Sequence, residues 1–132
     1  MRRAFALALL SAPMLLGCDP LPTSATCHNA VVTGYWRRPG AVTRDGTSLD
    51  SGERVVAVDR RSPLLPRDAE GYLRPGPWTV WLEVEGMGPP LRVADTGYLA
   101  EYGVDYDLLF DDYREAVRFG VQTLWVCFSV EA

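Results

Sequence analysis

The sequence contains no lysine, one histidine and three cysteines among its 132 residues. Each scarcity removes a class of chemistry. With His28 as the only imidazole, a Ser-His-Asp triad and a histidine-based zinc site have nothing to draw on in the body of the chain. A catalytic thiol would also need a histidine beside it. There is no glycine-rich phosphate loop and no dinucleotide fingerprint. All basic charge is arginine, and Arg37, Arg38, Arg54, Arg60, Arg61, Arg74, Arg92, Arg114 and Arg118 are scattered without forming a basic stripe. With a net charge of −4, this argues against a nucleic-acid partner. The sequence also lacks an apolar run long enough to span a bilayer. The one candidate, from Ala4 to Leu16, is too short for a stable transmembrane helix.

That short run has a different reading. Met1-Arg2-Arg3 supplies a positive start and residues 4–16 an apolar centre, the make-up of an export signal. Leu15-Leu16-Gly17-Cys18 then resembles a lipobox, in which Cys18 is acylated and residues 1–17 are removed. Cys18 sits where the apolar run ends and polar residues begin, which favours this over an ordinary signal with an incidental cysteine. Residues 18–29, with Pro20, Pro22, Thr23, Ser24 and Thr26, read as a lipidated N-terminus and short tether. The expected location is the cell envelope, on the periplasm-facing side of the inner or the outer membrane. Export places Cys27 and Cys127 in an oxidising compartment, where an even pair is expected to form a disulfide. Closing a loop of about 100 residues would stabilise the fold by roughly 4–5 kcal/mol in the chain-entropy picture.

The 48% apolar content of the whole sequence supports one buried core and one domain from Ala30 on, expected to be a monomer. Short β-type runs alternate with Gly, Pro and Asp clusters. The strand candidates are residues 30–36, 54–59, 77–84, 91–95 and 121–130. A helix is expected after Asp112, with Asp112 as N-cap, Glu115 completing a capping box, Ala116, Val117 and Phe119 on the buried side and Gly120 as the stop. Several short strands and one helix indicate a small β-barrel.

The chemistry that remains is carboxylate. Asp59 follows Val55-Val56-Ala57-Val58, Asp95 follows Val93-Ala94, and Asp107 precedes Leu108-Leu109-Phe110. A carboxyl group at the end of an apolar strand is partly desolvated, which raises its pKa toward the range of a general acid. A calcium loop built from Asp105, Asp107, Asp111 and Asp112 fails on spacing, because Leu109 and Phe110 stand where oxygen ligands and glycine belong. Trp78 and Trp81 are at odd spacing, so at most one of them faces a ligand while the other packs. Tyr98, Tyr102 and Tyr106 either line a groove or pack within their loop.

Val56-Ala57-Val58-Asp59, Pro63-Leu64, Val93-Ala94-Asp95-Thr96-Gly97, Asp107-Leu108-Leu109-Phe110-Asp111, Tyr113-Arg114-Glu115-Ala116 and Phe119-Gly120 occur in an order and approximate spacing that resemble the three-aspartate (3D) domain. That domain is the catalytic barrel of the membrane-bound lytic transglycosylase A family and occurs in other bacterial cell-wall proteins. The resemblance runs from about Val31 to Val130. It implies a mainly β fold, a six-stranded double-psi β-barrel with one short helix over residues 30–132. It further implies peptidoglycan glycan strands as partner, with no metal and no organic cofactor. Asp107 would be the single acid/base. Asp95 would hold the site and keep Asp107 protonated, and Thr96, Gly97, Tyr98 and Asp59 would bind substrate, Asp59 mainly through a structural role. Tyr98 stands where the family usually has a second glycine, and Glu101 lies near the position of a usual lysine. The resemblance is compatible with an enzyme that cleaves MurNAc-GlcNAc linkages and with a catalytically inactive peptidoglycan-binding or envelope-interaction module.

Overall fold

The computed structural model describes residues 26–131. The expected signal, Cys18 and most of the tether lie outside the described residues. Six strands form one sheet: β1 (Thr26–Trp36), β2 (Val55–Asp59), β3 (Val80–Val84), β4 (Leu91–Gly97), β5 (Tyr106–Phe110) and β6 (Gln122–Val130). Their order is β1-β5-β2-β4-β3-β6, and β6 pairs back onto β1, so the sheet closes into a barrel. Two of the pairs, β1 with β5 and β2 with β4, are parallel, and the rest are antiparallel.

Alternation along the strands divides the apolar residues into two groups. Val32, Val56, Val58, Val93, Leu108 and Val126 point into the barrel and form its main core. Val55, Ala94 and Leu109 point outward and pack with Leu49, Tyr35 and Ala41 in a second cluster. β2 is therefore buried on both faces, which accounts for its unbroken apolar run. Part of this outer cover is the segment between β1 and β2. Arg37 ties it down, donating to the Leu49 carbonyl at 2.6 Å and pairing with Asp111 at 3.2 Å.

Helix α1 (Tyr113–Phe119) packs on β1 and β5. Asp112 caps it, accepting from the Glu115 amide at 2.9 Å, and Gly120 ends it with φ 69°. Ala116 is buried as expected, but Val117 is exposed. A two-turn helix on a curved sheet buries a stripe too narrow to include it. Gly34 makes the helix contact possible, because a Cβ there would lie 2.6 Å from the Phe110 ring and 3.5 Å from the Ala116 backbone.

Some boundaries differ from the sequence expectation: β4 runs two residues further, to Gly97, β2 and β6 each start one residue later, and three differences bear on the site. β1 begins at Thr26 instead of Ala30, so residues 26–29 belong to the sheet and not to a tether. His28 consequently lies within β1, and its Nε2 lies 3.3 Å from the Tyr106 hydroxyl. The reason is non-local: β6 is long enough to pair as far as Thr26↔Phe128, with Cys27 directly opposite Cys127. The two cysteines form a disulfide. β3 starts at Val80 and not at Pro77, since Pro77 has no amide to donate and the Trp78 amide goes to Asp45. Trp78 is the packed tryptophan of the pair, at 2% exposure. Asp107, expected to precede a strand, is the second residue of β5.

Candidate functional site

Strand register builds the site. Thr33 on β1 is opposite Asp107 on β5, Asp107 is opposite Ala57 on β2, and Ala57 is opposite Asp95 on β4. Four side chains therefore form a row across four strands on the outer face of the barrel, with the two carboxylates flanking the smallest chiral side chain. Asp95 reaches this face only through an irregularity in β4. Val56 pairs with Val93 but Ala57 with Asp95, so Ala94 is an extra residue. Without it, strict alternation from inward Val93 and outward Ala94 would turn Asp95 into the core. The bulge re-aims the carboxylate onto the face of Asp107.

Both carboxylates are held by donors from other segments. Asp107 Oδ1 accepts from the Thr33 hydroxyl at 3.0 Å. Asp95 Oδ1 accepts from the amides of Arg44 at 2.9 Å and Thr96 at 3.0 Å, and its Oδ2 lies 3.5 Å from the Tyr35 hydroxyl. Burial raises the Asp107 carboxyl above the ordinary range, against the Thr33 hydrogen bond and with the help of the charge on Asp95. Asp95 is raised too, chiefly by burial, with its three donors opposing. Tyr35 is pushed well above a normal phenol by burial and by the charges of Asp95 and Asp107, so it stays a neutral donor facing two acids.

The Arg44 amide is placed by a buried knot beneath the site. Residues 42–48 form a tight hairpin in which Asp45 Oδ1 accepts from the hydroxyls of Thr43 and Thr47 and from the Thr47 amide. Its Oδ2 takes Arg92 at 2.6 Å and the Trp78 amide at 3.1 Å. The Asp45 amide donates to the Ala94 carbonyl, so the hairpin is locked onto the bulge itself. Arg92 completes the knot on Glu53 at 2.8 Å. Burial works against ionisation of Asp45, but the donors from Thr47, Trp78, Arg92 and Thr43 together hold its carboxyl below the ordinary value.

Asp107 opens into a cavity of about 560 Å³ lined also by Thr33, Tyr98, Glu101 and Tyr102. Tyr98 and Tyr102 are exposed, whereas Tyr106 is buried. Thr96, Gly97 and Tyr98 line an adjoining cavity of about 350 Å³. Asp59 stands apart in a third cavity of about 450 Å³ beside Pro63 and Leu64. Its oxygens accept the amides of Ala100 at 2.9 Å and Arg61 at 3.0 Å. The Ala100 bond first, and that of Arg61 after it, lower its carboxyl, opposite to the rise expected of a strand-end aspartate. It fastens the loop after β4 to the end of β2, which is the structural role read for it, and does not join Asp95 and Asp107.

Thr33, Tyr35 and Arg44 were missed by sequence reasoning. The alternation of Thr33 and Tyr35 on one face of a strand was visible, but nothing local pairs that face with β5. In comparisons with known proteins, the chain matches no family model and no curated sequence.

Proposed function

We propose that this protein is a peptidoglycan-directed envelope lipoprotein whose barrel cleaves the glycan strand at MurNAc-GlcNAc linkages, with Asp107 as the single acid/base. The observation that carries this reading is the Asp107–Ala57–Asp95 row: two half-buried carboxyl groups on one face, one of them beside an open cavity rimmed by exposed tyrosines. The six-strand order with two parallel pairs is compatible with the double-psi arrangement that the resemblance to the 3D domain implies. Anchoring through Cys18 is part of the same reading.

Protonated Asp107 donates its proton to the glycosidic oxygen as the bond to the muramic acid C1 breaks and positive charge develops on that sugar. The Asp107 carboxylate then takes the proton of the C6 hydroxyl on the same sugar, whose oxygen bonds to C1. The products are a 1,6-anhydro end and a free sugar end, with Asp107 again protonated and no water consumed. One titrating carboxyl suffices, unlike hydrolysis with two carboxylates at a set separation. The charge of Asp95, favoured by its three donors against the rise that burial gives it, raises the proton affinity of Asp107 and stabilises the cationic centre. Tyr98 and Tyr102 offer ring faces to the sugars.

The exposure of Tyr102, 80%, favours a second reading. A groove so open on one side holds a strand with few remote contacts, and a binding module without turnover would look the same. Digestion of purified sacculi by the full-length protein in detergent separates the two. Anhydro-muropeptides from the wild type and none from Asp107→Asn would support the lyase. No product from either, with sacculi still retained, would assign binding alone.

A further inference from the structure

The fold gathers arginines that the sequence disperses. Arg44 from the hairpin over the site, Arg60 from the end of β2 and Arg67 from the following loop line one cavity of about 350 Å³, together with Tyr72, Thr96 and Tyr98. Among the described residues no acidic one lines it, in a chain whose net charge is −4. Among the described residues none of the three arginines has a carboxylate partner within salt-bridge distance, and the Asp59 ion pair goes to Arg61 instead. Each arginine has an acid beside it in sequence, but Asp45 is held by Arg92 and the Trp78 amide, Asp59 by the Ala100 and Arg61 amides, and Asp68 by the amides of Glu70 and Tyr72.

The cluster is organised by neutral groups. Arg67 donates to the carbonyls of Gly71 at 3.2 Å and Arg60 at 2.8 Å, which holds its guanidinium without neutralising it. Arg60 stacks over the Tyr98 ring at 4.6 Å, and its own amide bonds the Gly97 carbonyl at 2.9 Å. Three cations held close together repel, and an anion relieves that repulsion. Guanidinium groups match a carboxylate in geometry and charge.

The position couples this cavity to the acid pair. Arg44 gives its amide to Asp95 and is also one of the residues lining the arginine cavity. Asp95 is followed directly by Thr96, Gly97 and Tyr98, which line it, and Tyr98 also lines the Asp107 cavity. The two cavities are thus neighbouring parts of one groove with Tyr98 between them. We infer that the Arg44–Arg60–Arg67 cavity is a subsite for a carboxylate carried by the substrate next to the bond at Asp107. This rests on the glycan-directed reading of the groove. In wall glycan such a carboxylate comes either from a free lactyl group or from a stem peptide.

Retention on immobilised glycans tests it, comparing full-length wild type with Arg44→Gln/Arg60→Gln and Arg44→Lys/Arg60→Lys, exposed substitutions checked by thermal melting. The glycans are intact sacculi, peptide-free strands with lactyl carboxylates, both again after carbodiimide amidation, neutral N-acetylglucosamine oligomers and polygalacturonate. The expected result is roughly tenfold tighter binding to a carboxylated wall glycan than to its amidated form, about one charge-assisted contact's worth. The glutamine variant loses that preference and the lysine variant keeps part of it. Preference for peptide-free strands identifies the lactyl group, and preference for sacculi the peptide. Equal binding to amidated and untreated wall glycan, unchanged in the glutamine variant, overturns the subsite but leaves the groove reading intact. Arginine-dependent capture of polygalacturonate alone keeps the anion subsite and overturns the peptidoglycan reading. Binding to none of the glycans overturns both.

Discussion

At the scale of single residues, the acid pair trades stability for chemistry. Asp107 is raised mainly by burial, with a contribution from Asp95, so its protonated form persists to higher pH than an exposed aspartate allows. On the proposed reading, cleavage that needs this proton is expected to be lost as pH rises through the folded-state pKa. Asp95→Asn removes the neighbouring charge, lowers the Asp107 pKa, and is expected to move that alkaline limb to lower pH in a rate profile on sacculi. The linkage sign for stability follows from the same shift. A carboxyl whose pKa is higher in the folded state favours folding below its unfolded pKa and opposes it, relatively, at neutral pH. Asp107→Asn keeps an acceptor for Thr33 and removes the buried charge. It is expected to raise the melting temperature at pH 7 by a few degrees while abolishing cleavage, and to give no gain at acid pH. An unchanged melting temperature at both pH values would mean the carboxylate is better solvated than its position suggests. Ala57, at 4% exposure between the two acids, is a third test. Ala57→Leu forces a larger side chain between them, with an expected cost of about 1–3 kcal/mol in chemical denaturation and loss of the acid-pair chemistry.

At the scale of elements, the hairpin over residues 42–48 is what places the Arg44 amide on Asp95, and the Asp45–Arg92 pair is what holds the hairpin. The Asp45 side chain is fully buried and that of Arg92 nearly so, at 0% and 9% exposure. Removing Arg92 alone leaves an uncompensated buried charge, so Arg92→Met is expected to cost about 3–5 kcal/mol by denaturant unfolding. Arg92→Met with Asp45→Asn is expected to recover part of it. Asp45 also sets an acid limit: with its folded pKa lowered, its contribution is present above the ordinary carboxylate range and is lost as pH falls through the lowered value. The elements most legible in the sequence were those with local signals. The capping residues Asp112 and Glu115 and the stop at Gly120 specify α1 by themselves, and the apolar run of β2 announces a strand covered on both sides. β5 was less legible, because Tyr106 and Asp107 carry no strand pattern and gain their place only by pairing with β1 and β2.

At the scale of the whole molecule, the closed barrel and the disulfide join the two ends of the described chain. Cys27 and Cys127 are separated by 100 residues, so the bridge removes much of the freedom of the unfolded chain. Cys27→Ser/Cys127→Ser is expected to lower stability by about 4–5 kcal/mol in equilibrium unfolding. A much smaller loss would indicate an unfolded state already constrained near these ends. The barrel also explains the groove's electrostatics. Carboxylates and arginines that are spread along the sequence meet on one outer face, acids over β5 and β4 and cations beyond the end of β2.

The sequence by itself pointed to a mainly β domain and the capped helix, and raised the Cys27–Cys127 bridge and the acids Asp95 and Asp107 as expectations, because alternation and capping chemistry are local properties. The tertiary structure alone decided that Asp95 and Asp107 flank Ala57 while Asp59 stands apart, and that Thr33, Tyr35 and the Arg44 amide serve the acids. It alone decided, too, that Arg44, Arg60 and Arg67 converge. Those outcomes depend on which strands pair, on the register between them and on a one-residue bulge at Ala94. A shift of one residue there turns a side chain from solvent to core, and no nearest-neighbour pattern in the chain encodes it.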